Sequence, residues 1–214
     1  MQPTINHIET FCKSKRITIN AGKTQELIIT NKTYINNNPL TFQNTKIKPV
    51  NEAKFLGITF DKKLNFKKHI KNISTQAKVR STKLKSLYNQ KYGPCKKTMI
   101  RLFKIFIRPL FEYGNTAIIT ISDNNLAEWE QIQTNFIRYI LNIPRVSNNM
   151  ILKLGNVPTI RNRTNQLAVK WFNNLTIKNN TPILNFINDF TKDYKKFDKY
   201  KSPHQIIKSL KTLP

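Results

Sequence analysis

Between Glu52 and Ile70 the chain reads EAKFLGITFDKKLNFKKHI, and inside this stretch the hydrophobic pattern changes its period. Up to Asp61 the apolar residues alternate or cluster as they do in the strands of a small sheet. From Leu64 they recur at spacings of three, four and seven, as on one face of a helix. The expected class is therefore α+β: a small antiparallel sheet with one helix over residues 1–62, an all-helical bundle over 63–177, and a polar, partly disordered tail over 178–214.

Within the first part, Ile5, Ile8, Phe11 and Cys12 lie at helical spacing behind Thr4, which predicts a short amphipathic helix capped by that threonine. ITINAGKTQELIIT then turns at Ala21-Gly22 and enters a strand through Leu27, Ile28 and Ile29. NKTYINNNPLTF reads as a hairpin with an Asn-Asn-Asn-Pro tip, and TKIKPV and AKFLGITF read as two further strands. In the second part, Ile70, Ile73, Ala77, Leu84, Leu87 and Tyr88 mark the inner face of a long helix that ends before Gly93-Pro94. KKTMIRLFKIFIRPLFEYGNTAIITI is apolar nearly all round, so a central buried helix interrupted at Pro109 is expected. A helix starting near Asp123 or Asn124 turns Leu126, Trp129, Ile132, Phe136, Ile137 and Ile140 inward. MILKLGNVPTI supplies a short helix and turn, RNRTNQLAVKWFNNL another amphipathic helix, and PILNFINDF and PHQIIKSL two short pieces in the tail. Trp129 and Trp171 are expected in the core, and His7, His69 and His204 at the surface or at edges.

Charge narrows the function. Lys and Arg number 37 against 11 Asp and Glu, a formal net charge of +26, far beyond what solubility asks of a chain this size. Such a field calls for a polyanion. Nucleic acid is the expected partner, because counterion release from phosphates turns many weak lysine contacts into a large, salt-sensitive affinity. An anionic membrane surface is the rival. No apolar run is long enough to span a bilayer and no signal peptide is evident, so the expected locale is intracellular, nuclear or cytoplasmic. Cys12 and Cys95 are too few for a disulfide framework and too far apart for a zinc site. The candidate binding residues are Lys62, Lys63, Lys67, Lys68, Lys71, Lys78, Arg80 and Lys85. Of these, Lys67, Lys71, Lys78 and Lys85 recur at intervals of four and seven on the polar side of the long helix, where they can track a phosphate backbone. On an average protein such a row is a solvated basic face; the net charge favours the phosphate reading here.

Four segments taken together, ITINAGKTQELII, AKFLGITFDKKLNFKKHI, LFKIFIRPLFEYGNTA and WEQIQTNFIRYILNIPR, resemble in order and spacing the C-terminal end of the reverse transcriptase of non-LTR, LINE-type, Jockey-like retrotransposons. The first is similar to that family's motif D, the second to motif E and the entry to the thumb, and the third and fourth to the thumb. The resemblance covers roughly residues 4–177. It implies the end of a polymerase palm followed by a helical thumb, and a parent RNA-directed DNA polymerase that uses Mg²⁺. It makes Lys23 the motif D lysine, placed near departing pyrophosphate, whereas the residues alone put Lys23 in a surface turn feeding a strand. It makes Phe55, Leu56 and Gly57 a primer-grip-like turn and places Arg108, Pro109, Glu112, Tyr113 and Gly114 in the thumb signature; Arg108 before the proline and Glu112 one turn later themselves suggest a structural internal ion pair or hydrogen-bonded cluster. Strand-to-helix packing remains an alternative use of the apolar flanks Phe55 and Ile58.

The family's Ala-Asp-Asp turn is expected just before the helix at residues 4–16, where this chain begins. Nucleotidyl transfer needs carboxylates converging on two Mg²⁺ ions. The acids here are scattered. Glu128 and Glu130 stand two apart on a helix and so point to different sides, and NAGKT lacks the spacing of a phosphate-cradling Walker loop. The expectation is a truncated reverse transcriptase without a complete catalytic set, without a metal or other cofactor of its own, that binds an RNA/DNA or RNA duplex through backbone contacts. The missing polymerase portion would then act in trans. The alternatives are a stand-alone basic RNA-binding or structural module and an intron-maturase-like protein.

Overall fold

The computed structural model describes residues 1–30, 39–89, 91–119 and 121–177, together with Pro182 and Asn185. The expected Asn-Asn-Asn-Pro hairpin tip, apart from Pro39, and nearly all of the tail, including His204, lie outside the described residues. The chain divides into two compact units, Met1–His69 and the residues from Ile70 onward.

In the first unit α1 (Gln2–Ser14) starts with Met1 as its N-cap and Pro3 in its first turn, where a missing N–H costs nothing. Thr4 is therefore inside the helix and does not cap it. Gln2 ties the helix to the next chain segment by two hydrogen bonds. Its Nε2 donates to the Thr41 carbonyl at 2.8 Å, and its Oε1 accepts the Thr41 N–H at 2.9 Å. Of the apolar residues expected to face inward, Cys12 is buried, while Ile8 and Phe11 are exposed.

The strands are short. β1 (Glu26–Leu27) pairs in parallel with β4 (Pro49–Val50), β2 (Thr41–Phe42) pairs antiparallel with β3 (Thr45–Lys46), and β5 (Glu52–Phe55) pairs antiparallel with β6 (Ile58–Asp61). The mixed α+β class is as the hydrophobic pattern implies, but the described strands form three two-stranded ladders in place of one sheet, and one ladder is parallel. AKFLGITF is not a single strand. It folds back at Leu56-Gly57, both at positive φ (45° and 85°), as a two-residue hairpin turn requires. Gln43-Asn44 make the β2–β3 turn in the same way, with φ of 49° and 59°.

Asp61 ends β6 and organises the connector beyond it. Its Oδ1 accepts the N–H groups of Lys63 and Asn65, both at 3.0 Å, and its Oδ2 accepts that of Phe66 at 2.6 Å. This is the physical reason the strand breaks there: a short carboxylate satisfies the amides of a connector that has left the ladder. Helix α2 (Lys67–Ser86) begins directly after it.

The second unit is helical: the rest of α2, then α3 (Lys96–Phe106), α4 (Arg108–Glu112), α5 (Asn115–Ile118), α6 (Asp123–Leu141), α7 (Asn148–Leu154) and α8 (Ile160–Ile177). The apolar stretch expected as one buried helix is three. The break falls at Ile107, and Pro109 sits in the first turn of α4, where its fixed φ suits a helix start. Nor is α3 buried all round: Met99 and Phe103 are, while Ile105 and Phe106 are 55% and 51% exposed.

Helix α6 is the centre of this unit. Leu126, Trp129, Ile132, Phe136, Ile137 and Ile140 are all buried along it. Phe136 stacks on Phe103 with ring centroids 5.0 Å apart, and Trp129 on Phe111 at 5.2 Å. The Trp129 Nε1–H reaches the Ile70 carbonyl at 3.3 Å, so the ring is buried with its one donor satisfied. Three other expectations are corrected. Leu87 is exposed just past the end of α2, Trp171 is 39% exposed on α8, and His69 is buried, with its Nδ1 accepting the Thr59 N–H at 3.4 Å. Burial lowers the pKa of His69, since the charged imidazolium is the form that burial penalises.

Candidate nucleic-acid interface

The eight cations singled out from the pattern occupy different local environments. In the first unit Lys62 and Lys63 are exposed on the connector that Asp61 organises. The Lys62 main chain is held on both sides, its N–H by the Asn51 carbonyl at 3.3 Å and its carbonyl by the Thr30 N–H at 3.0 Å. Lys67 is exposed in the first turn of α2, and Lys68 pairs with Glu52 of β5.

In the second unit Lys71 is exposed, but the later members of the row are engaged by α6. Lys78 Nζ lies 2.7 Å from the Glu128 carboxylate. Lys85 is half-buried, its Nζ 4.8 Å from the centre of the Tyr139 ring, and burial pushes its pKa down. Arg80 donates to the Phe106 carbonyl at 2.8 Å. The Lys78 hydrogen bond, opposed by burial and aided by the charges of Lys78 and Lys71, holds the Glu128 carboxyl below its ordinary value. Sequence periodicity placed these lysines on a polar face. That this face borders α6 depends on long-range packing, which period does not carry.

Lys23 ends a 3₁₀ turn (Ala21–Lys23) and is exposed, its backbone N–H accepted by Asn20 Oδ1 at 3.1 Å. At the β5–β6 turn Phe55 and Leu56 are 66% and 73% exposed, while Ile58 is buried. Only Ile58 of the two apolar flanks packs inward. Leu56 is a branched apolar residue at positive φ, a conformation that costs it free energy and that Gly or Asn would adopt more easily.

The Arg108 to Gly114 segment is an internal brace. Arg108 Nε donates to Glu112 Oε1 at 2.6 Å, and Arg163 of α8 donates to the same oxygen at 2.8 Å. Gly114 stands at φ 70° as the N-cap of α5, and Tyr113 is 55% exposed. A second brace was not visible from the pattern. Arg161 Nε pairs with Asp123 at 2.6 Å, and its other nitrogens reach the carbonyls of Ile119 and Ile121.

Among the described residues there is no group of three or more His, Cys, Asp or Glu side chains placed to hold a metal ion, and the carboxylates of Glu52, Asp61, Glu112, Asp123 and Glu128 are engaged by lysines, arginines or main-chain amides. Among the described residues no helix is long and apolar enough to cross a membrane.

Comparison with known proteins gives a similarity to a polymerase. The chain is 22% identical over 177 residues, 82% of its length, to the RNA-directed DNA polymerase from mobile element jockey of Drosophila funebris, and it spans 19% of that protein's length. No family model matches, and no solved structure matches. The similarity supports a reverse-transcriptase-related origin for this chain.

Proposed function

We propose that this chain is the nucleic-acid-holding portion of a non-LTR retrotransposon reverse transcriptase, with the end of a palm in its first unit and a thumb in its second, and that it binds a template-primer duplex through phosphate contacts. The observation that carries this reading is the lysine row of α2 in a chain of net charge +26, supported by the similarity to the jockey polymerase. On this reading Lys67 and Lys71 hold phosphates directly, Lys62 and Lys63 contact phosphate in the first unit, and Arg80 takes part on release from the Phe106 carbonyl. Backbone contacts of this kind require no metal and read no sequence. The Phe55-Leu56-Gly57 turn meets the primer strand, and Lys23 is the motif D lysine. On this reading nucleotide addition draws its carboxylate pair from a polymerase portion acting with this chain.

The test is duplex binding by the full chain against salt. Affinity for an RNA/DNA duplex falls by two orders of magnitude or more between about 50 and 200 mM salt, and each of Lys67→Ala and Lys71→Ala lowers the log–log slope by about one. A nearly flat salt dependence, or nucleotide incorporation by this chain alone on a primed template, overturns the proposal.

A further inference from the structure

In the second unit α2 and α6 meet along a seam whose outer edge is polar. Over the buried Ser81 and Ile132 an open depression is lined by Lys78 and Lys85 of α2 and Glu128, Gln131 and Asn135 of α6, and a neighbouring one that shares Lys85 and Asn135 is lined by Arg138 and Tyr139, the two together making one groove. Lys78 and Lys85 stand seven residues apart, about 10 Å along the axis. Each leans on a group of α6 that resembles part of a nucleotide: Lys78 on the Glu128 carboxylate, Lys85 on the face of the Tyr139 ring.

We infer that this groove takes up a single nucleic-acid strand, and that Glu128 and Tyr139 are internal stand-ins which the strand displaces: phosphate replaces carboxylate at Lys78, and a base takes the Lys85 position on Tyr139 while Lys85 turns to phosphate. The inference rests on the nucleic-acid reading above and adds to it a second surface, distinct from duplex tracking along Lys67 and Lys71.

Three observations support the exchange. The Lys78 and Glu128 side chains are 60% and 39% exposed, and ion pairs as open as this contribute little to stability, so opening the pair costs little. Tyr139 is 49% exposed, leaving ring surface for a base, and stacking on an aromatic side chain tolerates any base. The exposed amides of Gln131 and Asn135 line the same depression as the two lysines, Asn135 with its oxygen accepting from Arg138 at 3.2 Å, and their N–H groups can donate to a strand there.

The experiment measures binding of the full chain to a fluorescent single-stranded oligouridylate and to a blunt RNA/DNA duplex, with circular dichroism melts to establish that each variant is folded. Glu128→Gln frees Lys78 and raises single-strand affinity about threefold or more, with a steeper salt slope, because one more cation is open to phosphate. Tyr139→Ala weakens single-strand binding roughly tenfold, Tyr139→Phe retains it, and both leave duplex affinity nearly unchanged. If a folded Glu128→Gln chain binds the single strand no better, or Tyr139→Ala and Tyr139→Phe behave alike, the groove assignment fails while the duplex reading stands. Equal loss of duplex and single-strand affinity in Tyr139→Ala also overturns it. Absence of binding to either nucleic acid by the unaltered chain overturns both.

Discussion

Glu112 at the end of α4 and Arg163 on α8 are joined by two hydrogen bonds, at 2.8 Å and 3.4 Å, and the same carboxylate also accepts from Arg108. Burial pushes the Glu112 carboxyl upward, but the hydrogen bonds and charges of Arg163 and Arg108 outweigh it and hold its pKa below the ordinary glutamate value. A carboxyl whose folded pKa is depressed stabilises the protein above its unfolded pKa, and that stabilisation is lost as pH falls through the folded value.

Glu112→Gln therefore destabilises the chain at pH 7 by roughly 1–3 kcal/mol, since two guanidinium groups lose an ionised acceptor. The difference from the unaltered chain shrinks as the pH is lowered below about 4. Chemical denaturation at pH 7 and at acid pH measures both effects, and a difference that does not change with pH contradicts the assignment.

Glu130 gives the opposite sign. It is half-buried on α6, its Oε2 accepts the Ile160 N–H at the start of α8 at 2.6 Å, and burial, partly countered by that bond and by Gln133, raises its pKa. A carboxyl with a raised folded pKa costs stability as pH climbs from its unfolded value through its folded one. Glu130→Gln keeps an acceptor for Ile160 without the buried charge, so at pH 7 it is neutral or more stable by up to about 1 kcal/mol. Glu130→Ala leaves the helix start without its acceptor and loses about 1–2 kcal/mol. Melting the two variants side by side decides the matter: a glutamine variant as unstable as the alanine one would refute it.

Gly155, which caps the end of α7, is required by close approach. A methyl group there would stand 2.9 Å from Ile137 Cγ2, and Ile137 is completely buried. Gly155→Ala is expected to cost about 1–3 kcal/mol through overpacking, seen as a lowered Tm; an unchanged Tm would show that Ile137 moves freely.

Leu56 separates stability from binding. Its positive φ and its exposure make Leu56→Asn favourable for the β5–β6 turn, which then reads Asn-Gly, and a gain of about 0.5–1 kcal/mol is expected. If this turn meets a primer strand, the same variant weakens duplex binding severalfold while melting higher. A variant that gains stability and keeps full affinity would remove Phe55-Leu56-Gly57 from the proposed interface.

Local period made the helical half of the chain legible ahead of the structure. Helix α6 runs over Asp123–Leu141 with Leu126, Trp129, Ile132, Phe136, Ile137 and Ile140 buried, because one apolar stripe over five turns leaves a single way to hide it. Composition hid the β5–β6 hairpin, since Leu56 continues an apolar run; the turn there is implied only by the resemblance to motif E, and the backbone folds back at Leu56-Gly57. The pairing of β1 with β4 joins segments far apart in the chain, and two-residue strands are too short to announce a partner. For the lysines, period separated polar face from apolar face. The neighbours that hold Lys78 and Lys85 come from α6, some fifty residues later.

The connector between β6 and α2 has a consequence for how the scarce acids of this chain can be used. Asp61 stands four residues beyond the Phe55-Leu56-Gly57 turn and is followed at once by two lysines, either of them a ready ion-pair partner. Both of its oxygens are instead turned toward its own chain. An acid that already accepts the amides of Lys63, Asn65 and Phe66 serves the entry to α2, and a side chain without an acceptor there would leave three main-chain donors open.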